Sequence, residues 1–406
     1  MGGGQRRHIG TAERRARLAL RHRLAGTARA AAPEEVASSL VALHGTDPAT
    51  VYLAVGARLT DPAGTLPGTE RALYEDRTLV RMHGMRHTVF VFPTDLTAVV
   101  HASTGLAVAG RERASLLKDM AKAGAPDAAW LKEVEESTMA ALGRRGQATA
   151  AELAADEPRL REQFVYAAGK SYEGVHTVST RLLRVLGVEG KVVRGRPLGS
   201  WTSSQFRWAV APAHPELEVA GSQSALLRRW LAACGPATEA DLKWWTGWRV
   251  TEVRRALAAI GAETVSLDDG GTGYVVDGDA EHMAEPVEPW AALLPGLDPT
   301  AMGWQQRDWY LAPELRPHLF DHSGNVGPTV WWNGRVVGGW AQRADGEIVW
   351  RILDAEGVGR EGGTAIAAAA ERLRTLLSGS TVTPRFRTPL ERGLSAPMDG
   401  SGPPGA

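Results

Sequence analysis

Thiols and lysines are scarce in this chain, which has one cysteine, Cys234, and six lysines among 406 residues. A single thiol excludes an internal disulfide framework and any multi-thiolate zinc or iron–sulfur site. No apolar run reaches the ~18 residues needed to span a bilayer, and the N-terminus lacks a hydrophobic signal core, so a cytoplasmic location is expected. The P-loop, the Rossmann glycine fingerprint, His-Glu-x-x-His and G-x-S-x-G are all missing, which removes the commonest nucleotide, zinc-protease and hydrolase signatures. His83 and His87 are four apart, but their segment alternates like a strand, where that spacing is not the helical geometry of a metal pair. Neither a metal nor a cofactor is expected.

What is present is an ordinary globular composition, 44% hydrophobic and 23% charged. At roughly 100–200 residues per domain the length implies two to four modules. Net charge is zero, yet the charges are segregated: residues 1–29 hold eight arginines and one acid, whereas residues 261–300 hold nine acids and no lysine or arginine. Residues 170–207 carry seven basic groups against Glu173 and Glu189. Such a chain can offer phosphate a basic face while staying neutral overall, because affinity follows the local field. Solvated helix faces are the plainer explanation.

Punctuation along the chain suggests repeated units. Ala12 to Leu24 reads as an Arg-rich amphipathic helix. A second helix opens at Pro33, with Glu34 and Glu35 in its first turn, and runs to His44, where Gly45 can cap it. Asp47-Pro48 has the form of an N-cap and first-turn proline for a third helix reaching about Arg58. Leu79 to Pro93 alternates as a hairpin does. Three helices and a hairpin give the order of a winged helix. The order recurs: a helix at Val134 to Leu142, a short N-capped helix through Gln147 to Leu153, a helix at Val175 to Leu186, and a basic wing at Val188 to Leu198. It recurs once more through Ser224 to Ala233, Thr238 to Leu242, Arg249 to Ile260 and the strands Glu263 to Leu267 and Tyr274 to Val276. From Pro286 the texture becomes short strands parted by Asn333-Gly334 and Asp345-Gly346, both strong hairpin signals. A helix from Thr364 to Leu377 and a Gly/Pro/Ser tail follow. The expected class is α+β, with tandem winged helices at 1–100, 101–212 and 213–284. A small antiparallel β-sheet or barrel subdomain at 285–394 and a disordered tail at 395–406 complete it.

Chemistry concentrates in Leu43-His44-Gly45-Thr46-Asp47-Pro48, where an imidazole, a hydroxyl and a carboxylate share a tight turn. A helix C-terminus and Asp47 would both raise the His44 pKa and favour imidazolium. Asp47 is also explained by capping alone. The 14 tryptophans could stack on unpaired bases, but most are expected in cores.

His44-Gly-Thr-Asp-Pro48, followed by Val51-Tyr-Leu-Ala54 and Arg58, resembles the AlkZ/YcaQ-like winged-helix DNA glycosylase family. Leu293-Leu-Pro-Gly-Leu-Asp298, Gly303-Trp304, Gly324 to Val330 and Asn333 to Trp340 are similar to that family's C-terminal pattern. The resemblance implies tandem winged helices on double-stranded DNA and excision of N7-alkylated, including bulky or crosslinked, purines; three winged helices in one chain can cover a site as a monomer. Where the family's catalytic turn reads Gln-apolar-Gln or Gln-apolar-Asp, His44 and Thr46 stand here. His44, Thr46 and Asp47 are thus the candidate catalytic residues. Three readings stay open: a glycosylase of altered substrate choice, a non-catalytic binder of modified DNA, and a winged-helix regulator. DNA contacts are expected from Arg86, His87 and Thr88 of the first hairpin. Lys170, Thr177, Arg181 and Arg184 near the second unit's last helix, and Lys191, Arg194 and Arg196 of its wing, are the others. A pocket in the C-terminal barrel would draw on Asp298, Arg307 and Asp308, each more simply a turn or ion-pair residue.

Overall fold

The computed structural model of the protein describes residues 6–124, 127–166, 169, 173–282 and 284–397. Three times the chain runs through a helix, a short extended stretch, further helical segments and a hairpin, and each time the extended stretch pairs with the hairpin's outgoing strand. In the first unit Leu43–His44 lies antiparallel to Val89–Pro93, which pairs with Leu79–His83. In the second, Gln147–Ala148 pairs with Phe206–Val210 and that with Val192–Pro197. In the third, a single bridge, Ala237 to Tyr274, joins the hairpin Glu263–Ser266 and Thr272–Val275. This repeated closure makes the fold mixed α+β with small antiparallel sheets.

Capping explains the short helices. Thr149 and Thr238 each accept the N–H three residues on, from Glu152 and Asp241, whose carboxylates answer back to the capping residue's own N–H. These reciprocal boxes satisfy donors that a helix start leaves bare. They account for the shared wording of the two segments.

The helices of the first unit depart from expectation. Pro33–Leu40 ends four residues before His44, at Val41 with φ 67°, and the chain turns early enough for Leu43–His44 to become a strand. The position before the hairpin belongs to Thr65–Glu70 and the π-turn Arg71–Glu75. The N-terminal helix, Thr11–Arg21, instead packs against Val219–Cys234 of the third unit. In the second unit, Gly174–Thr177 is a strand paired with Gln163–Tyr166, and the helix begins at Val178.

The C-terminal strands form an open four-stranded sheet, not a barrel: Ala291–Leu294 and Ile348–Ile352 are its two edges. Helix Gly359–Leu377 covers one face, so no closure is needed to bury Val330, Trp332 and Val337. Helix Pro48–Gly56 joins this core through Ala49 and Leu53. Its Gly56 admits no side chain, since a Cβ there would lie 1.8 Å from Leu376 Cδ1. Residues 395–397, expected in the tail, include Ser395 at the end of helix Pro389–Ser395, while 398–406 lie outside the described residues.

The segregated charges meet in space. Asp279 pairs with Arg17 at 2.8 Å and Arg21 at 2.5 Å, and Asp268 accepts the Thr11 N–H and contacts His8 at 2.9 Å. The N-terminal arginine run is therefore partly spent on the acidic stretch, a folding contact rather than a free basic face.

Candidate active site

His44 sits on the two-residue strand opposite Phe90, its ring edge-on to that phenyl at 5.3 Å. Gly45 continues the pairing through its N–H to Val89 O, and a Cβ on it would press within 3.2 Å of the Phe90 backbone. The tight approach holds the turn flat against the hairpin. The Thr46 N–H points to His44 Nδ1 at 3.5 Å, which favours the tautomer with the proton on Nε2.

The expected imidazolium is overturned. Burial first, and the guanidinium of Arg86 second, push the His44 pKa down to about 3. The helix C-terminus that would have favoured charge ends at Leu40, and the Asp47 carboxylate is turned elsewhere. One of its oxygens accepts the Ala49 N–H at 3.2 Å, capping helix Pro48–Gly56, and the other accepts the Arg385 N–H at 3.0 Å. Arg385 also donates to Thr46 O at 3.4 Å. The C-terminal segment is thus tied across the turn. Burial raises the Asp47 carboxyl pKa, opposed by those N–H donors, Arg385 and Arg81. The Thr46 hydroxyl has no hydrogen-bond partner among the described residues.

The expected DNA-contacting residues fall into groups. Arg86 and His87 form a turn with φ 51° and 66°. The Arg86 guanidinium lies 4.1 Å over the Trp244 ring, clamping the first hairpin to the third unit. His87 is 3.2 Å from Glu112 and 3.2 Å from Arg184, so those three form one patch, with Thr88 beside it. Thr177 is the N-cap of helix Val178–Val188. Arg181 on that helix is buried, 3.7 Å from Asp119. Lys170 lies outside the described residues.

The wing is not a bare basic strip. Lys191 contacts Glu135 at 2.5 Å and Glu189 at 3.1 Å, and Arg196 reaches Glu70 and Glu75 at 3.3 and 3.2 Å. Arg194 turns inward, 4.5 Å over the Phe206 ring, with its Nε unpartnered. Arg81, 5% exposed, likewise has Nε and Nη2 without partners. Sequence reasoning missed Arg81 and Arg385. Arg81 is an arginine on the inward face of a strand, and that was its only signal.

Asp298 forms a buried ion pair with Arg58, and Asp308 an exposed one with Arg316. Arg307 lies 5.0 Å over Trp244. They do not converge on a pocket in the sheet. Among the described residues no group of three His, Cys, Asp or Glu could hold a metal ion, and no helix is long and apolar enough to cross a membrane.

Comparison with known proteins gives a consistent answer. The family model described as DNA glycosylase AlkZ-like matches residues 37–376. The fold is similar to the solved structure of Streptomyces sahachiroi DNA glycosylase AlkZ, with TM-score 0.68 and 21% identity over 91% of this chain and 97% of that one. No curated protein matches the chain in sequence.

Proposed function

Since the chain belongs to the AlkZ-like DNA glycosylase family, we propose that it is a monofunctional glycosylase, acting as a monomer on double-stranded DNA to hydrolyse the N-glycosidic bond of N7-alkylated purines. The winged-helix division at 1–100, 101–212 and 213–284, followed by the subdomain 285–394, is part of this reading.

The observation that carries it is the placing of the His44 ring, edge-on to Phe90 with its Nδ1 facing the Thr46 N–H, on the turn that also holds the Asp47 carboxylate. An alkyl group on N7 makes the purine a cationic leaving group, so the bond breaks through an oxocarbenium-like sugar with little need for a general acid. A protonated imidazole would repel that cation. A neutral imidazole whose Nδ1 faces the Thr46 N–H can instead position a water through its Nε2–H. The Thr46 hydroxyl is the second group available to orient water. Asp47 supplies negative charge behind them, which favours a cationic sugar, while its two backbone hydrogen bonds fix the turn. The N7 substituent lies in the major groove, where a bulky adduct can be met without full extrusion of the base.

Duplex DNA with a single N7-methylguanine tests the reading by heat- or alkali-labile strand scission, with wild type beside His44→Ala and Thr46→Ala. Scission by wild type, lost or strongly reduced in His44→Ala with DNA affinity unchanged, supports it. Tight binding without scission by wild type would favour a non-catalytic binder of modified DNA.

A further inference from the structure

Between the first unit's hairpin and the second unit's wing lies a cavity of about 450 Å³, within the range that small-molecule sites occupy. Apolar side chains from Leu73, Leu79, Val80, Val193 and Pro212 form much of its wall, and four arginines line it, of which Arg196 is paired with Glu70 and Glu75 while Arg81 and Arg194 have no such partner among the described residues. A buried guanidinium without an acceptor is costly to fold. Here Arg81 is 5% exposed with two nitrogens unpartnered, and Arg194 adds a third. Among the described residues no ion pair joins either to a carboxylate. Asp47 is near enough for Arg81 to oppose the rise in its pKa, but both its oxygens are committed to backbone N–H groups. Glu70 and Glu75, on the neighbouring helical segment, are engaged by Arg196. The cationic neighbours of Arg194 are Arg81, Arg385 and Arg184. Two arginines lining one cavity, with buried nitrogens that lack acceptors and further cations nearby, leave a surplus of positive charge that is complementary to a phosphate oxyanion. The apolar wall is more than a bare phosphate can fill, and it suits the faces of a sugar and base.

We propose that this cavity is a nucleotide subsite, in which Arg81 and Arg194 grip a phosphate and the apolar wall receives the attached nucleoside. The phosphate comes either from the DNA strand beside the His44 turn or from a free nucleotide. The first source rests on the glycosylase reading, and the second does not.

Binding, not base release, is the readout. Single neutral methylphosphonates are scanned through a duplex, with the full-length wild type, Arg194→Met and Arg194→Lys compared by fluorescence anisotropy. In parallel, deoxyadenosine monophosphate is titrated calorimetrically at low salt. If the strand supplies the phosphate, one linkage weakens wild-type binding about tenfold when neutralised. Arg194→Met then loses a similar factor on natural DNA and becomes insensitive to that linkage, and Arg194→Lys stays sensitive. If a free nucleotide is the ligand, saturable heat seen with wild type vanishes in Arg194→Met. The proposal is overturned if no linkage couples to Arg194 and wild type binds no nucleotide. Where Arg194→Met fails to fold, Arg194→Gln, which removes the charge and keeps a polar end, is read in its place. A wild type that neither binds DNA nor releases N7-methylguanine would remove the glycosylase reading and leave the nucleotide arm to decide the subsite.

Discussion

Arg58 and Asp298 form a fully buried, two-pronged ion pair, with guanidinium nitrogens 2.7 and 2.9 Å from the two carboxylate oxygens and neither side chain exposed. Arg58 lies just past the helix Pro48–Gly56, and Asp298 lies in the loop beyond the strand Ala291–Leu294. The remaining guanidinium donors are used as well, on His22 O, Ala54 O and the Thr300 hydroxyl. The pair therefore fixes the helix carrying the His44 turn against the C-terminal region, 240 residues away in sequence.

Removing one partner leaves the other charged and buried, which costs about 3–5 kcal/mol. Asp298→Ala is expected to lower stability by that amount in urea denaturation. The double variant Arg58→Met/Asp298→Leu should recover most of the loss, because it removes both desolvation penalties. A double variant as unstable as the single one would mean that packing, not charge, dominates this position.

Burial of neutral histidines makes stability depend on pH. His22 and His83 both have pKa values pushed down to about 3, by burial first and nearby arginines second, against about 6.5 in an unfolded chain. Between those values the unfolded state binds protons that the folded state does not. Stability is therefore full above about pH 6.5 and falls as pH drops, by about 1.4 kcal/mol per pH unit for each histidine. Denaturation midpoints measured from pH 7 to pH 5 should fall less steeply in His22→Phe/His83→Phe than in wild type. Parallel slopes for the two proteins would contradict the assignment.

How far the sequence revealed this arrangement depended on how local each signal was. The caps at Asp47, Thr149 and Thr238 are legible because a side chain bonds an N–H two or three residues away. The Asn333-Gly334 and Asp345-Gly346 hairpins are legible for the same reason. The end of the helix at Leu40 was not, because a β-branched residue, Val41, takes the left-handed conformation usually left to glycine. That displacement carried the His44 environment with it. The direction of the His44 pKa shift then followed from its burial and from Arg86, which lies in the turn between the two hairpin strands. Lys191 and Arg196 looked like free wing cations because their partners, Glu135, Glu70 and Glu75, are supplied by distant segments.

On the glycosylase reading, those pairings predict which cations meet phosphate and which do not. Arg184 is half-exposed beside His87 and only loosely held by Glu112 at 3.5 Å, so it is free to exchange partners. Arg184→Ala should weaken DNA binding and reduce the slope of log affinity against log salt by about one. Lys191→Ala, whose ammonium is held between Glu135 and Glu189, should leave the slope unchanged. Equal effects of the two substitutions in a filter-binding salt series would show that the ion pairs open on DNA.

Asp47 is the residue whose capping and chemical roles most need separating. Asparagine keeps an oxygen for the Ala49 N–H and removes the charge, though its amide cannot accept the Arg385 N–H. Asp47→Asn is therefore expected to fold, with at most a modest loss of about 1 kcal/mol. If the negative charge favours the cationic sugar, single-turnover base release should fall by about 10²-fold, with DNA affinity little changed. Rates for wild type from pH 5 to 8 should meanwhile show no step from His44, which is uncharged across that range. Release by Asp47→Asn at the wild-type rate would reduce the aspartate to its structural role. A step near pH 6.5 that disappears in His44→Gln would show that substrate binding restores the charge to the ring.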